Sequence, residues 1–193
     1  MKTRNILLLL FCFVIQIKSQ TVTNIDLFYN QIDSVVIKIK RELSGVEKIK
    51  LEFISPADLS YLKSHVFYSF AKNKIISDTA NDAVEFKIDK ASVRYENLEK
   101  ENFLGEFIAD RFIEVSGSYL IKKNSDIVFS HDIHEEYSDK VSASDIKELE
   151  NNSLPFTQGK FPAEPFFNSL YEPIIAVSAI AISVYLFFSV RSK

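Results

Sequence analysis

Residues 113–129, with the sequence IEVSGSYLIKKNSDIVF, carry the pattern that decides the fold. One face of the first half has apolar or small residues at every second position: Ile113, Val115, Gly117, Tyr119 and Ile121. This alternation is typical of a half-buried β-strand. Residues 122–125 then offer a polar turn, and Ile127, Phe129 and Ile133 begin a return strand. The stretch therefore predicts a long β-hairpin.

The chain before the hairpin predicts a helix, a strand and a second helix. Apolar residues recur at helical spacing from Ile25 to Leu43, and residues 48–54 alternate like a strand. Ser55 and Pro56 predict the start of a helix that runs to about Asn73.

Strands dominate from position 84 onward. Apolar residues at positions 84, 86 and 88 alternate, whereas Val93 and Tyr95 resume in the opposite phase. This slip predicts a β-bulge between Asp89 and Ala91. Ser144 is predicted to cap a short helix that ends near Leu149. The order of elements predicts an α+β domain, with a mainly antiparallel sheet and two helices packed on one face.

The N-terminal residues 1–19 read as a cleaved signal peptide, with a positive start, an apolar stretch and the small Ser19 before the cleavage site. The exported domain is then expected to span residues 20–150. Cys12 raises the alternative of a lipoprotein signal, but Phe11 stands where that signal needs a small residue.

The C-terminal residues 173–190, PIIAVSAIAISVYLFFSV, contain no charge and predict a transmembrane helix. Residues 191–193 carry two cations, which predicts a cytoplasmic tail and a main domain on the extracytoplasmic side of a single-pass membrane protein. Residues 151–172 contain several prolines and are interpreted as a stalk or as a segment lying along the domain. The alternative for the apolar segment is a buried C-terminal core helix.

Two small sets of residues are associated with this predicted helix. Phe166, Phe167 and Tyr171 are typical of an aromatic anchor at the membrane interface. A second set lies on one helical face and consists of small residues: Ala176, Ala179 and Ser183. Small residues permit close helix approach, so this face predicts self-association of the chain into a homo-oligomer.

Charge and cysteine content exclude several functions. The whole chain has a net charge of −3, and taking away the five positive charges of the terminal segments leaves −8 for the residues between them. A domain that acidic is poorly suited to bind nucleic acid or anionic headgroups, so no nucleic-acid partner is expected. Cys12 is the only cysteine and lies in the predicted leader. The mature protein is therefore expected to lack disulfides, cysteine nucleophiles and thiolate metal sites.

Histidines and carboxylates cluster in residues 131–136, HDIHEE, which are residue types that bind zinc. On a strand, however, His131 and His134 point to opposite faces and cannot easily share one ion. His65 lies between apolar positions of a helix and is interpreted as a histidine at the edge of the core. No catalytic, metal or cofactor residue is therefore assigned.

Several segments together resemble a group of known domains: residues 48–73, 84–95, 116–122 and 127–129. They look like the periplasmic domains of bacterial envelope-assembly factors, in particular the curli-secretion lipoprotein and the N-terminal domain of the Tol translocation protein. The resemblance implies an envelope location and protein partners. The chain departs from the curli lipoprotein because it lacks that lipoprotein's signal and adds the C-terminal apolar segment.

These observations lead to one principal functional hypothesis and one rival. The principal hypothesis is a non-enzymatic, membrane-anchored envelope protein whose exported domain docks onto partners in an assembly or transport complex. The rival is a membrane-tethered carrier of a lipid or another small apolar ligand. A sealed core with an exposed sheet edge would favour docking, whereas an open apolar cavity would favour the carrier. An enzyme is the third alternative.

Overall fold

The computed structural model describes residues 21–43, 48–100, 105–162 and 168–191. The helices are α1 (Asn24–Glu42), α2 (Leu62–Lys72), α3 (Ile146–Leu149) and α4 (Asn168–Arg191). The strands are β1 (Lys50–Ile54), β2 (Ala83–Lys100), β3 (Phe107–Lys123) and β4 (Asp126–Ser142). Two short 3-10 turns, Ala57–Leu59 and Pro155–Thr157, complete the described elements. The predicted signal peptide, residues 1–19, lies outside the described residues.

The four strands form one mixed sheet in the order β1-β2-β3-β4. β1 pairs with β2 in parallel, while β2 with β3 and β3 with β4 are antiparallel. The two long strands β3 and β4 are the predicted hairpin. Asn124 and Ser125 between them both have positive φ, as a two-residue hairpin turn requires. The α+β class and the mainly antiparallel sheet are confirmed.

Helices α1 and α2 cover the same face of the sheet and contact each other. α1 lies over β3 and β4, and its stripe of buried residues includes Phe28, Ile32 and Val36. α2 packs beside it, where Phe70 meets the ring of Phe86 on β2. The core therefore lies between this helical layer and one sheet face, while the other sheet face carries mostly polar side chains.

The predicted irregularity in the second strand is confirmed, and it explains one glycine. The register of β2 against β3 shifts between Ile88 and Lys90. Gly117 lies opposite this bulge, where an added Cβ would stand only 2.0 Å from the carbonyl oxygen of Lys87. Only glycine lets the two backbones approach so closely.

Two predicted helix caps are wrong. Ser55 does not cap α2, because a 3-10 turn intervenes and buries Leu59 before the helix starts without a side-chain cap. Ser144 does not cap α3, whose cap residue is Asp145. The Ser144 hydroxyl instead donates to the Glu106 carboxylate. Only at Ser144 does a contact with a distant segment replace the local cap.

The residues after α3 split into a packed part and a helix. Residues 151–162 lie along the domain, and Leu154, Phe156 and Thr157 are buried there. α4 is helical as predicted for residues 173–190. Within the described ranges, however, no helix combines the length and hydropathy needed to cross a membrane. The predicted transmembrane helix is therefore not supported.

Candidate docking edge

Strand β4 is the outermost strand on one side of the sheet and is 17 residues long. Among the described residues, no strand pairs with its outer side. Its end near the hairpin turn exposes three large apolar side chains, Ile127 at 61%, Val128 at 57% and Phe129 at 38%. The strand at the other side, β1, has only five residues. β4 is thus the long free edge of the sheet, and we call it the docking edge.

The hydrogen-bonding direction along the docking edge follows from Gln31 on α1. Its amide nitrogen lies 3.0 Å from the carbonyl oxygen of Ile113 and 3.2 Å from that of Glu135. Both carbonyl oxygens can lie this close to one nitrogen only if both point into the space between β3 and β4. The backbone N–H and C=O groups of Glu135 are therefore directed toward β3. Because this direction alternates along an antiparallel strand, the even-numbered residues of β4 direct their N–H and C=O groups outward.

The alternation holds over most of the strand, because the register of β4 against β3 has no shift from Phe129 to Ser142. The outward-directed residues are Ser130, Asp132, His134, Glu136, Ser138 and Lys140. A regular row of open backbone donors and acceptors is what an added strand needs for pairing.

A shallow groove separates α1 from the inner face of β4. One cavity in it, of about 230 Å³, is lined by residues that include Val35, Lys38 and Ile133. A second cavity of about 250 Å³ lies near the hairpin turn and includes Leu43 and Phe129 in its lining. Side chains from an added strand would reach this groove at alternate positions.

Tyr119 lines the first of these cavities and is buried. Its hydroxyl donates a hydrogen bond of 2.5 Å to the Glu42 carboxylate, and its ring stacks on Phe129 with centroids 6.1 Å apart. Burial, followed by the hydrogen bond to Glu42, raises the pKa of the Tyr119 hydroxyl. Tyr119 therefore stays protonated and fixes the end of α1 against the docking edge.

The strand register places the two histidines of the predicted cluster on opposite faces, as expected. His131 lies beside Tyr119 on the helix-covered face, and His134 lies beside Ser116 on the outer face. No group of three or more metal-binding side chains occurs in the described parts of the chain. His65 is largely buried, stacks on Tyr29 with ring centroids 3.9 Å apart and contacts Asp33 at 3.0 Å. These contacts confirm its place at the edge of the core.

Most charged side chains on the docking edge are carboxylates, and only some of them have a close cationic partner. Lys38 pairs with Glu135, and Arg111 pairs with Asp139. Glu136 has a more distant cation, 3.7 Å away on Arg94. Asp132 is exposed and makes no ion pair with the described residues. The outer-face row thus presents carboxylates that are weakly compensated or uncompensated.

A buried polar network at the other end of the sheet was missed by the sequence reasoning. The Asn24 amide donates to the Tyr95 hydroxyl at 2.9 Å and to the Thr157 carbonyl at 2.8 Å. Arg111 donates to the Asn24 side-chain oxygen at 2.8 Å. Burial raises the pKa of Tyr95 to about 12. The network joins the start of α1 to β2, β3 and the segment after α3, so its role is to hold the domain together.

Some of the residues predicted to form the membrane-interface anchor lie outside the described residues. Phe166 and Phe167 lie outside the described residues, and Tyr171 is described only as part of the α4 backbone. Ala176, Ala179 and Ser183 are exposed on α4, where the Ser183 hydroxyl donates to the Ala179 carbonyl. Self-association through this face stays a prediction.

Comparisons with known proteins do not assign the chain to a family. No family model and no curated protein matches the chain. Among solved structures, rare lipoprotein B from Shewanella oneidensis matches with 12% identity and a TM-score of 0.34, over 74% of this chain and 94% of that chain. A minor lipoprotein from Acinetobacter baumannii matches with 17% identity and a TM-score of 0.30, over 53% and 76%. Both are bacterial lipoproteins, and at these TM-scores a common fold is not established. The resemblance to the curli-secretion and Tol proteins is not confirmed.

Proposed function

We propose that this chain is a non-enzymatic protein of the cell envelope that docks onto a partner protein in an assembly or transport complex. The docking edge is the proposed contact surface. The single observation that carries the proposal is the long, regular row of open backbone groups on β4, next to the exposed Ile127 and Val128. Natural proteins usually shorten, cover or interrupt such an edge, because it pairs readily with other chains.

Three cavities in the described part of the chain favour docking over the rival hypothesis of a carrier. The two beside the docking edge, and a third of about 230 Å³ near Lys140, all include charged side chains in their linings. Pockets for drug-sized ligands are typically larger, about 300–1,000 Å³, and mainly apolar. The largest core side chains between the helices and the sheet, such as Phe28 and Phe86, have no exposed surface. Both features support a sealed domain that binds at its edge.

Attachment to a membrane through α4, with the domain on the extracytoplasmic side, is the second part of the proposal. Every side chain described on α4, from Ile174 to Ser189, is exposed. Most of them are large and apolar. Apolar surface of this extent marks contact with a membrane or another protein. Attachment would keep the docking edge close to partners in the same membrane.

Site-specific photo-cross-linking in cells tests the docking proposal. A photoreactive side chain is placed at Ser130 on the docking edge or, as a control, at the exposed Lys72 on α2. The expected result is one protein adduct at Ser130, identified by mass spectrometry, and no such adduct at Lys72. Adducts of equal yield at both positions, or none at Ser130, would contradict the proposal.

A matched pair of substitutions makes the test specific for strand pairing. His134→Pro removes an outward-directed N–H that β3 does not use, and an edge strand tolerates proline at such a position. His134→Ala removes the same imidazole but keeps the N–H. The Ser130 adduct should be lost with His134→Pro and retained with His134→Ala.

A further inference from the structure

From the charges and groove beside the docking edge, we infer that the partner segment is an extended strand in which apolar residues alternate with Lys or Arg. This inference rests on the proposed function and specifies its partner. Three observations carry it: the direction of the open backbone groups, the exposed apolar side chains on the inner face and the carboxylates of the outer face.

The backbone geometry fixes which side chains of a partner strand meet which residues of β4. The outward-directed groups belong to even-numbered residues, which also point their side chains to the outer sheet face. Partner residues paired directly with Asp132 and Glu136 therefore lie on that same outer face. The residues between them point to the inner face and lie beside the groove under α1.

Exposed apolar side chains on the inner face of β4 favour apolar residues at the inner positions of the partner strand. Phe129 and Tyr137 are 38% and 40% exposed on this face. The apolar residues of the groove itself, such as Ile133, are buried, and its lining also includes Lys38 and Glu135. Small apolar side chains of a partner strand would cover Phe129 and Tyr137, while pairing supplies the main-chain hydrogen bonds. This is the usual division in strand addition, where the backbone gives affinity and alternate side chains give specificity.

The outer face of β4 favours cationic side chains in the partner strand. Asp132 is exposed without an ion pair among the described residues, and Glu136 has only a cation 3.7 Å away. Opposite charges paired across neighbouring strands are stabilising, whereas like charges directly opposite each other are destabilising. Lys or Arg opposite these two carboxylates therefore completes the pairing.

In the register centred on His134, the same charges disfavour a second copy of this chain as the occupant. Antiparallel pairing of two β4 strands about a twofold axis at His134 would place Asp132 of each copy opposite Glu136 of the other. Four carboxylates would then meet in two like-charged pairs. A basic strand from a different protein avoids this repulsion.

Binding of two designed peptides to the purified full chain in detergent tests the inference. Both peptides have ten residues with valine at alternate positions. One carries two lysines on its polar side, and the other carries two glutamates at the same places. Fluorescence anisotropy is expected to show binding of the lysine peptide about tenfold tighter than that of the glutamate peptide.

A charge reversal on the docking edge supplies the matched control. Asp132→Lys should remove most of the preference for the lysine peptide. Asp78→Lys makes the same charge change at an exposed site in the loop before β2 and should leave the preference intact. A scrambled lysine peptide without alternation should bind several-fold more weakly than the alternating one.

The outcomes separate this inference from the proposed function. Equal binding of the two peptides, with loss of both in His134→Pro, would overturn the basic-strand inference and leave docking at the edge in place. Binding of neither peptide, or cross-links between the β4 strands of two copies, would also overturn the inference. Lysine-peptide binding that is unchanged by His134→Pro would overturn both.

Discussion

Arg111 and Asp139 form an ion pair with two hydrogen bonds, although the guanidinium has no exposed surface. Nε of Arg111 donates to one carboxylate oxygen at 2.8 Å, and Nη2 donates to the other at 2.5 Å. The side chain of Asp139 is 25% exposed. Arg111 also donates to the carbonyl of Val22 and to the side chain of Asn24. One side chain thus connects β3, β4 and the start of α1.

Removing the carboxylate from this pair should destabilise the domain. Asp139→Ala leaves a buried guanidinium without its counter-charge, which is expected to lower the free energy of unfolding by about 3 kcal/mol. Urea denaturation of the full chain in mild detergent, followed by circular dichroism, measures the change. Asp132→Ala is the control on the same strand, because its carboxylate is exposed, and it should stay within about 0.5 kcal/mol of the unmodified chain.

Gly117 should be intolerant of the smallest side chain. In Gly117→Ala the new Cβ would lie 2.0 Å from the Lys87 carbonyl oxygen, so the bulge of β2 must shift. We expect a loss of about 3 kcal/mol in the free energy of unfolding. Ser118→Ala, at the next position, should change it by less than about 0.5 kcal/mol. Equal unfolding midpoints for the two variants would show that the sheet accommodates the Cβ.

Tyr95 should make the domain sensitive to alkaline pH. Its pKa is raised from 10.0 to about 12 by burial, so the folded state holds this proton more tightly than the unfolded state. The contribution of protonated Tyr95 to the free energy of unfolding is fully present below pH 10. It is lost as the pH rises from about 10 to about 12. Tyr95→Phe cannot ionise and should lose less stability than the unmodified chain across this interval. Unfolding curves at pH 9 and pH 11 give the comparison, and parallel losses in both proteins would contradict it.

Charges placed on α4 should weaken membrane attachment. Ile180→Lys combined with Val184→Lys puts two cations one turn apart on exposed apolar positions of the helix. Lysine is unfavourable wherever the apolar surface of a helix contacts lipid, so it should weaken the attachment that we propose for α4. The double variant should therefore move from the carbonate-washed membrane pellet to the supernatant. Ile180→Leu combined with Val184→Leu is the matched control and should stay in the pellet.

Features encoded by neighbouring residues could be predicted from the sequence. The alternation from Ile113 to Ile121 and the polar turn before Asp126 were sufficient to predict the hairpin. The phase change between Ile88 and Val93 sufficed for the bulge. Each of these patterns lies within one segment, where side-chain direction follows from backbone geometry alone.

Features that depend on distant partners could not be predicted in the same way. Asn24 and Arg111 are far apart in the chain, and only the fold places them within hydrogen-bond distance. One signal was available, because Arg111 is in phase with the buried Ile113 and Val115 and therefore had to face the core. The parallel pairing of β1 with β2, and the outer side of β4 that no described strand covers, are also properties of the assembled sheet.

Hydrogen exchange along β4 tests the docking claim most directly, because an added strand must protect backbone amides. The measurement compares the chain purified alone in detergent with the chain isolated from native membranes together with its cross-linked partner. We predict that the outward-directed amides between Ser130 and Lys140 exchange at least about tenfold more slowly in the complex, while those of α2 do not change. Unchanged exchange along β4 in a complex that contains the partner would contradict the account.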